Sequence, residues 1–311
     1  MGGMSPVMSR VRTIPAPVLK ELSGLSQAQF AELVIELGPA WEAQRFERLE
    51  RPGRRRVQGA GRKHAVPFPA RLLMVLMYLR WNISYRALGG LFGVSKDAVL
   101  RSMDELLPLL AARGITAPDA SRVRDADGLA VQLAKLTDDH RAALVDGTFV
   151  PVGRPQAWED QKPLYSSHRG RHTRNFTALT DDGGNLLWVG GGCVGSTHDL
   201  TALADSDASG PLAGSEVIVI ADKAYRGAVA RLGLAGAFTP RPRRRKDQPA
   251  PHQAVAQAEK DFNLEVARQR VKVEHAIRRL KVRRILHGYR LSPRRFDHTV
   301  AAIAGLATMP A

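Results

Sequence analysis

The sequence predicts a chain of two parts, an all-helical N-terminal region followed by an α+β or α/β region built on a mixed sheet. Three observations lead to this fold class. Apolar residues recur at helical spacing as far as residue 110, short β-branched runs begin at residue 144, and helical spacing returns from residue 252 to 285. A length of 311 residues and a hydrophobic content of 44% suit two domains with their own cores.

The helical region contains a candidate helix-turn-helix at about residues 83–107. Ser84 and Ser95 can cap its two helices, and Gly93 stands between them, where a tight turn needs a residue free to take positive φ. Small Gly89 and apolar Val99 stand at the spacing typical of this motif. The second helix would then expose Lys96, Asp97 and Arg101. An ordinary helical hairpin is the alternative.

Four short runs after residue 140 look like strands, and they are Leu144–Val152, Thr173–Thr180, Leu186–Val194 and Glu216–Asp222. The turn Asp181–Asn185 joins the middle two into a predicted hairpin. We therefore divide the chain into a helical region (1–114), a connector or short helix (115–140) and a second domain (141–311).

Charge gives the first indication of a partner. The chain has 46 Lys and Arg against 30 Asp and Glu, a net charge of +16. The segment Arg241–Arg295 alone holds 17 basic and five acidic residues, and Arg51–Lys63 holds six basic residues and no acid. Two basic blocks suit an extended polyanion such as double-stranded DNA, and a solvated surface is the alternative.

Several classes of protein are excluded. A single cysteine, Cys193, cannot form an internal disulfide, and no Cys/His spacing suits zinc. The longest apolar run, Leu72–Leu79, is eight residues long, against the roughly 20 that cross a bilayer. We expect a cytoplasmic protein that does not engage a membrane.

Three carboxylates stand where they could converge. Asp146 lies in the first predicted strand, and Asp222 ends the apolar run Val217–Ala221, so it can emerge at the C-terminal edge of the sheet. Glu274 lies on the long C-terminal helix, where Arg270 and Lys281 share its face at helical spacing. The same helix should pack on the sheet through a neighbouring apolar stripe, which consists of Val266, Val273, Ile277 and Leu280.

Four motifs in this order resemble the DDE transposases of bacterial insertion sequences, in particular the insertion-sequence-five group related to Harbinger-type elements. The motifs are Val145–Thr148, Gly195–Asp199, Ala221–Gly227 and Arg270–Lys281. The resemblance implies an RNase H-like core, a five-stranded mixed sheet with helices on both sides. It also implies a homodimer that binds terminal inverted repeats and target DNA, and a protein associated with the bacterial nucleoid.

The resemblance assigns roles to residues as well. Asp146, Asp222 and Glu274 would be the catalytic residues and would bind two Mg²⁺ ions, for which Mn²⁺ could substitute, because hard carboxylate oxygens suit such ions. Arg270 and Lys281 would contact the phosphodiester or the element's end. Apart from the resemblance, the basic loop before this helix predicts DNA contacts by Arg243 and Arg244, with a solvated loop as the alternative, and helix spacing predicts a contact by Arg278.

Three residues are possible supporting members of the site. His198 and Asp199 could act near the carboxylates, or Asp199 could simply cap the helix that follows it. Tyr225 could stack near DNA or pack beneath the strand end.

The function that follows is a transposase, which cleaves DNA by metal-dependent phosphoryl transfer and joins the freed 3′ end to a target. Two alternatives remain open. One is a DNA-binding regulator whose acidic cluster is structural, and the other is a domesticated nuclease on the same fold that cuts without strand transfer.

Overall fold

A computed structural model describes residue 11 and residues 14–49, 66–190, 192–242 and 252–310. The basic block Arg51–Lys63 and the predicted DNA contacts Arg243 and Arg244 lie outside the described residues. The chain forms two compact units. The first comprises residues 1–112 with 283–285 and 309–311, and the second comprises residues 113–282 and 286–308.

The first unit is helical. Its helices are α1 (Ala16–Ser23), α2 (Gln27–Leu49), α3 (Phe68–Trp81), α4 (Tyr85–Phe92) and α5 (Lys96–Ala112). Helix α3 is the centre of this unit, because residues 70–79 are all buried. Among them Arg71 is paired with Glu105 at 3.0 Å, and Trp41 Nε1 donates to the same carboxylate at 2.8 Å, so the buried charges are satisfied.

Helices α4 and α5 confirm the predicted helix-turn-helix. The Ser84 and Ser95 hydroxyls accept hydrogen bonds from the amides of Ala87 and Ala98, each at 3.3 Å. Gly93 takes a φ of 67°, and a Cβ on Gly89 would lie 2.6 Å from the Val94 carbonyl oxygen, so both glycines are required by the turn.

The second unit contains sheets and seven helices among its described residues. Its strands are β1 (Ile115–Thr116), β2 (Arg122–Val123), β3 (Ala142–Pro151), β4 (Tyr165–Ser166), β5 (Arg171–Asp181), β6 (Leu186–Val189), β7 (Cys193–Val194), β8 (Ile218–Ala221) and β9 (Gly236–Phe238). Its helices are α6 (Ala126–Asp138), α7 (Trp158–Leu164), α8 (Asp199–Ala204), α9 (Ser209–Ala213), α10 (Ala228–Leu232), α11 (Gln253–Lys281) and α12 (Phe296–Ala307).

The main sheet confirms the predicted mixed core. Five strands run in the order β6-β5-β3-β8-β9, with β3 antiparallel to β5 and parallel to β8. This is the strand order of an RNase H-like fold. Short strands β4 and β7 add to β5, which gives seven strands in the described part of the sheet. The predicted hairpin is present, since Asp181 Oδ1 accepts from the amides of Gly183 and Asn185.

Helix α11 contacts strands β3, β5 and β8, and this packing brings its polar face to the sheet edge. The four residues of its predicted apolar stripe are all buried. No helix within the described ranges is both long and apolar enough to cross a membrane.

Candidate active site

The site begins at the edge where β3 and β8 run side by side. Their parallel register places Val145 opposite Ala221, so Asp146 and Asp222 are the next residues on two adjacent strands. The sequence can predict this arrangement, because strand β8 is buried and ends at a charged residue. One Asp222 oxygen accepts a hydrogen bond from the Ala224 amide at 2.6 Å, which fixes the carboxylate at the start of a short 3₁₀ turn.

Glu274 reaches this edge from helix α11. The guanidinium of Arg270 lies between two of the carboxylates, with Nη2 3.6 Å from Asp146 Oδ1 and 3.5 Å from Glu274 Oε1. The Arg270 side chain is only 18% exposed. The structure therefore places Glu274 near Asp146, with Arg270 as the cation between them.

The electrostatics of Asp146 show that the three carboxylates act on one another. The pKa of Asp146 is raised to about 6, chiefly by burial, and this value includes a lowering by the charge of Arg270 and a further raising by the charges of Asp222 and Glu274. A carboxylate whose charged form is disfavoured in this way gains most from a cation placed beside it.

Asp199 is a fourth carboxylate at the same edge. A Cβ on Gly147 would lie 2.9 Å from the Asp199 carboxyl carbon, so the side chain rests directly on the strand next to Asp146. Only glycine at position 147 permits this approach. Burial raises the pKa of Asp199, and the nearby charge of Asp222 raises it further. His198, rather than Asp199, caps helix α8, since its Nδ1 accepts from the Leu200 amide at 3.4 Å.

Tyr225 packs beneath the strand end and is 1% exposed, so it does not present a face for stacking on DNA. Its hydroxyl is buried and meets no hydrogen-bond partner among the described residues. Burial raises the pKa of Tyr225 well above its ordinary value, and the charges of Asp199, Asp146 and Asp222 raise it further. The hydroxyl thus lies among three of the carboxylates.

A basic group borders the carboxylates on strand β3. Lys281 Nζ donates to the Phe149 carbonyl oxygen at 3.0 Å and lies 5.0 Å from the centre of the Phe149 ring. The Arg169 guanidinium carbon lies 3.7 Å from the same ring centre. Sequence reasoning missed Arg169 and its neighbour His168, because the segment before β5 carries no motif.

Two cavities meet at Asp222. One, of about 630 Å³, is lined by Asp146, Asp199 and Asp222 and by polar and basic residues that include His168, Arg169 and Asn175. The other, of about 790 Å³, adjoins Asp222 and Arg270 and is lined by Lys223, Arg226 and Arg241. An acidic centre flanked by basic walls is the arrangement that an anionic substrate and a metal cation together require.

The remaining predicted DNA contacts are solvent-facing. Lys96 and Arg101 are exposed on α5 in the first unit, and Arg278 is exposed on α11 in the second. The Arg278 side chain makes no hydrogen bond or ion pair with any residue that the structure describes.

The chemistry of these donors suits a hard divalent cation, whereas their spacing does not by itself form a three-ligand site. Carboxylate oxygens are the ligands such ions prefer, and the Arg270 guanidinium already contacts Asp146 and Glu274 as a cation. Within the described ranges, no three His, Cys, Asp or Glu side chains stand close enough to hold one ion.

Comparison with known proteins identifies the family. Residues 145–308 match the model of the DDE superfamily endonucleases, and residues 64–115 match the helix-turn-helix of the same superfamily. Over 303 residues the chain is 27% identical to a Microchaete diplosiphon protein, covering 96% of each. Its name describes it as a probable transposase for insertion sequence element IS702. A Streptomyces albus G protein, named as a putative transposase for element IS112, is 29% identical over 283 residues, 91% of this chain and 90% of that one.

A solved structure of the Mos1 strand transfer complex is also similar, at 11% identity and a TM-score of 0.20, with 84% of each chain covered. The family match covers more than half of the chain, and the chain belongs to the DDE superfamily endonucleases. It is therefore a DNA-cleaving enzyme that depends on divalent metal and carries its own DNA-binding helix-turn-helix.

Proposed function

We propose that this chain is the transposase of an insertion sequence. In this role it binds the terminal inverted repeats of its element, cleaves the DNA there and joins the freed 3′ end to target DNA. The names of its relatives support this function, since both are described as transposases and each aligns over at least nine-tenths of this chain.

The observation that carries the proposal is the convergence at the sheet edge. Asp146 and Asp222 come from adjacent parallel strands, and Glu274 comes from the helix packed across those strands. We assign these three as the catalytic carboxylates and as the residues that hold two Mg²⁺ ions, with Mn²⁺ as a substitute. Such ions activate the attacking oxygen and stabilise the leaving one.

The protein's own groups position the DNA. Arg270 lies beside two of the carboxylates and Lys281 is held against strand β3, so both can neutralise phosphate charge next to the reacting bond. Arg278 would add a contact to the DNA backbone, and we assign such contacts also to Arg243 and Arg244, which lie outside the described residues. No side chain is required to act as the nucleophile.

Recognition is assigned to the first unit. Lys96 and Arg101 are exposed near the beginning of α5, the helix that reads the major groove in a helix-turn-helix. A homodimer follows from the reaction, because the two ends of an element must be handled together.

Conservative replacement of each carboxylate tests the function. We expect Asp146→Asn, Asp222→Asn and Glu274→Gln each to abolish nicking of DNA that carries the element's ends, because each removes an anionic metal ligand. Binding to the same DNA should remain close to wild type. The assay measures nicking and gel-shift affinity in Mg²⁺, in Mn²⁺ and in EDTA.

The matched control is Glu265→Gln, which removes an exposed charge from the same helix and should cleave normally. Normal turnover by any of the three variants would remove that residue from the catalytic set. Wild-type protein that binds ends and never nicks them would be a regulator, and cleavage without joined products would indicate a nuclease.

A further inference from the structure

Arg169 is held in a defined position although it lies at the surface. The Arg169 amide donates to the Ser166 carbonyl oxygen at 3.1 Å, and Gly170 follows with a φ of 62°, which closes a tight hairpin between β4 and β5. Its guanidinium then stacks on the Phe149 ring at 3.7 Å. A planar cation held on an aromatic face keeps its N–H donors free at the edge of the plane.

A second cation lies close to the first. Lys281 is tied to Phe149 through its backbone carbonyl and its ring, and burial together with the charge of Arg169 lowers the pKa of Lys281. Neither Arg169 nor Lys281 makes an ion pair with any carboxylate among the described residues. The charges of Asp199 and Asp146 act on Arg169 and Lys281 without forming ion pairs with them, so the two cations still repel each other and an anion bound beside them would stabilise the pair.

The position of these cations identifies the anion. Phe149 and Arg169 line the same cavity as Asp146, Asp199 and Asp222, and Phe149 follows Asp146 by three residues on β3. If divalent ions at the carboxylates hold the reacting phosphodiester, the next charged group along the same DNA strand is the neighbouring phosphate. Its spacing from the reacting group is fixed by the sugar between them.

We propose that Arg169, stacked on Phe149 and assisted by Lys281, binds a backbone phosphate next to the one that reacts. Arg169 is then a substrate-positioning residue of the cleaved strand. This inference rests on the proposed function, and it adds a contact that the acidic motifs and the helix carrying Glu274 do not include.

The test pairs a protein variant with single neutral phosphates. We would use a duplex that the wild type cleaves, with one methylphosphonate placed in turn at each of the three linkages on either side of the cut. We expect Arg169→Ala to slow single-turnover cleavage of bound DNA about 10- to 100-fold, the loss typical of one charge-assisted hydrogen bond.

At one linkage the methylphosphonate should slow the wild type by a similar factor and should not slow Arg169→Ala any further. Arg169→Lys should recover part of the rate, because it restores the charge without the planar donors. The matched control is Arg171→Ala, which removes an exposed arginine two residues away that does not line the cavity, and it should behave as wild type.

The outcomes separate this inference from the proposed function. If the wild type cleaves and Arg169→Ala cleaves equally fast, or is slowed additively by every methylphosphonate, the phosphate contact is wrong and the function stands. If the wild type neither binds nor cleaves DNA, both fail. Thermal unfolding of each variant guards against a folding defect, and Phe149→Leu, which removes the stacking face, should reproduce a weaker form of the Arg169→Ala result.

Discussion

Asp146 combines a functional role with an unfavourable environment. It sits on a central strand with 17% of its side chain exposed and with two other carboxylates nearby. Its pKa of about 6 stands well above the ordinary 3.8, so the folded protein disfavours its ionised form. A site of this kind holds a carboxylate where the reaction needs its charge, and the disfavoured charge lowers the stability of the metal-free fold.

We expect Asp146→Asn to stabilise the metal-free protein by about 1 to 3 kcal/mol at pH 7.5, since two pKa units correspond to roughly 3 kcal/mol. For a carboxylate with a raised pKa, the destabilisation is absent below about pH 4, grows between pH 4 and 6, and is constant above pH 6. Urea unfolding in EDTA from pH 4 to 8 measures this difference.

Added Mg²⁺ should stabilise the wild type and leave Asp146→Asn nearly unchanged. Asp138→Asn, which neutralises an exposed carboxylate on α6, serves as the control and should show no comparable pH-dependent gain. An Asp146→Asn protein that is less stable than wild type at pH 7.5 would contradict this account of the site.

Replacing Tyr225 should also raise stability while it lowers activity. We expect Tyr225→Phe to stabilise the metal-free protein by about 1 kcal/mol, because it removes a buried hydroxyl that has no partner among the described residues. Cleavage should slow about tenfold, because Asp199, Asp146 and Asp222 lose the dipole of a nearby phenol, although the hydroxyl donates to none of these carboxylates.

Unfolding and single-turnover cleavage of the same Tyr225→Phe preparation test both parts. A variant that is destabilised and fully active would show that the hydroxyl is an ordinary core hydrogen bond, with Thr177 as its neighbour.

For individual residues, the sequence predicts the three catalytic carboxylates better than the residues that surround them. Asp222 and Glu274 can be placed from a buried strand and a helical stripe, which are local patterns. Arg169 meets Phe149 only because a hairpin returns the chain, and Asp199 meets Gly147 only because a helix begins beside the sheet. No periodicity in the sequence encodes such contacts.

Among the elements, the strands found where the sequence predicts them are buried ones that consist of β-branched runs. Strands β3, β5 and β8 appear where expected, whereas the predicted run Leu186–Val194 divides into β6 and β7. Three glycines follow Val189 in the sequence, and glycine weakens a strand, so β6 ends at Val189 and pairing resumes only at β7. Strands β1, β2, β4 and β9 are two or three residues long and too short to show a pattern.

The recognition helix α5 supports a prediction of its own. If Lys96 or Arg101 contacts a base, replacing it by alanine should cost about 1 to 3 kcal/mol of binding and relax the preference at one position. A phosphate contact should instead weaken every sequence alike and reduce the salt slope by about one unit. Affinities for the terminal repeat and for its single-base variants decide between the two.

Lys20→Ala removes an exposed charge from α1 and is the control for a general loss of positive charge. Unaltered binding to the terminal repeat by both Lys96→Ala and Arg101→Ala would show that this helix does not read DNA.

Across the whole molecule, positive charge is concentrated in a segment that also holds one of the catalytic carboxylates. The segment Arg241–Arg295 contributes a net +12 of the chain's +16, and it includes Glu274. The helix-turn-helix of the first unit exposes few cations by comparison. We infer that the helix-turn-helix supplies sequence preference and that the segment Arg241–Arg295 supplies much of the general affinity for DNA.

Two variants test this division. We expect Lys281→Ala to slow cleavage of bound DNA while the protein still prefers its terminal repeat over random duplex, because Lys281 is held on strand β3 near enough to Asp146 for their charges to interact. The double variant Arg243→Ala with Arg244→Ala should weaken binding to every duplex and reduce the salt slope by about two units, since each phosphate that an arginine neutralises adds about 0.9 to that slope.

Affinities at several salt concentrations, with single-turnover cleavage alongside, measure both effects. Loss of sequence preference in Lys281→Ala, or an unchanged slope in the double variant, would mean that recognition and catalysis are divided differently between the two units.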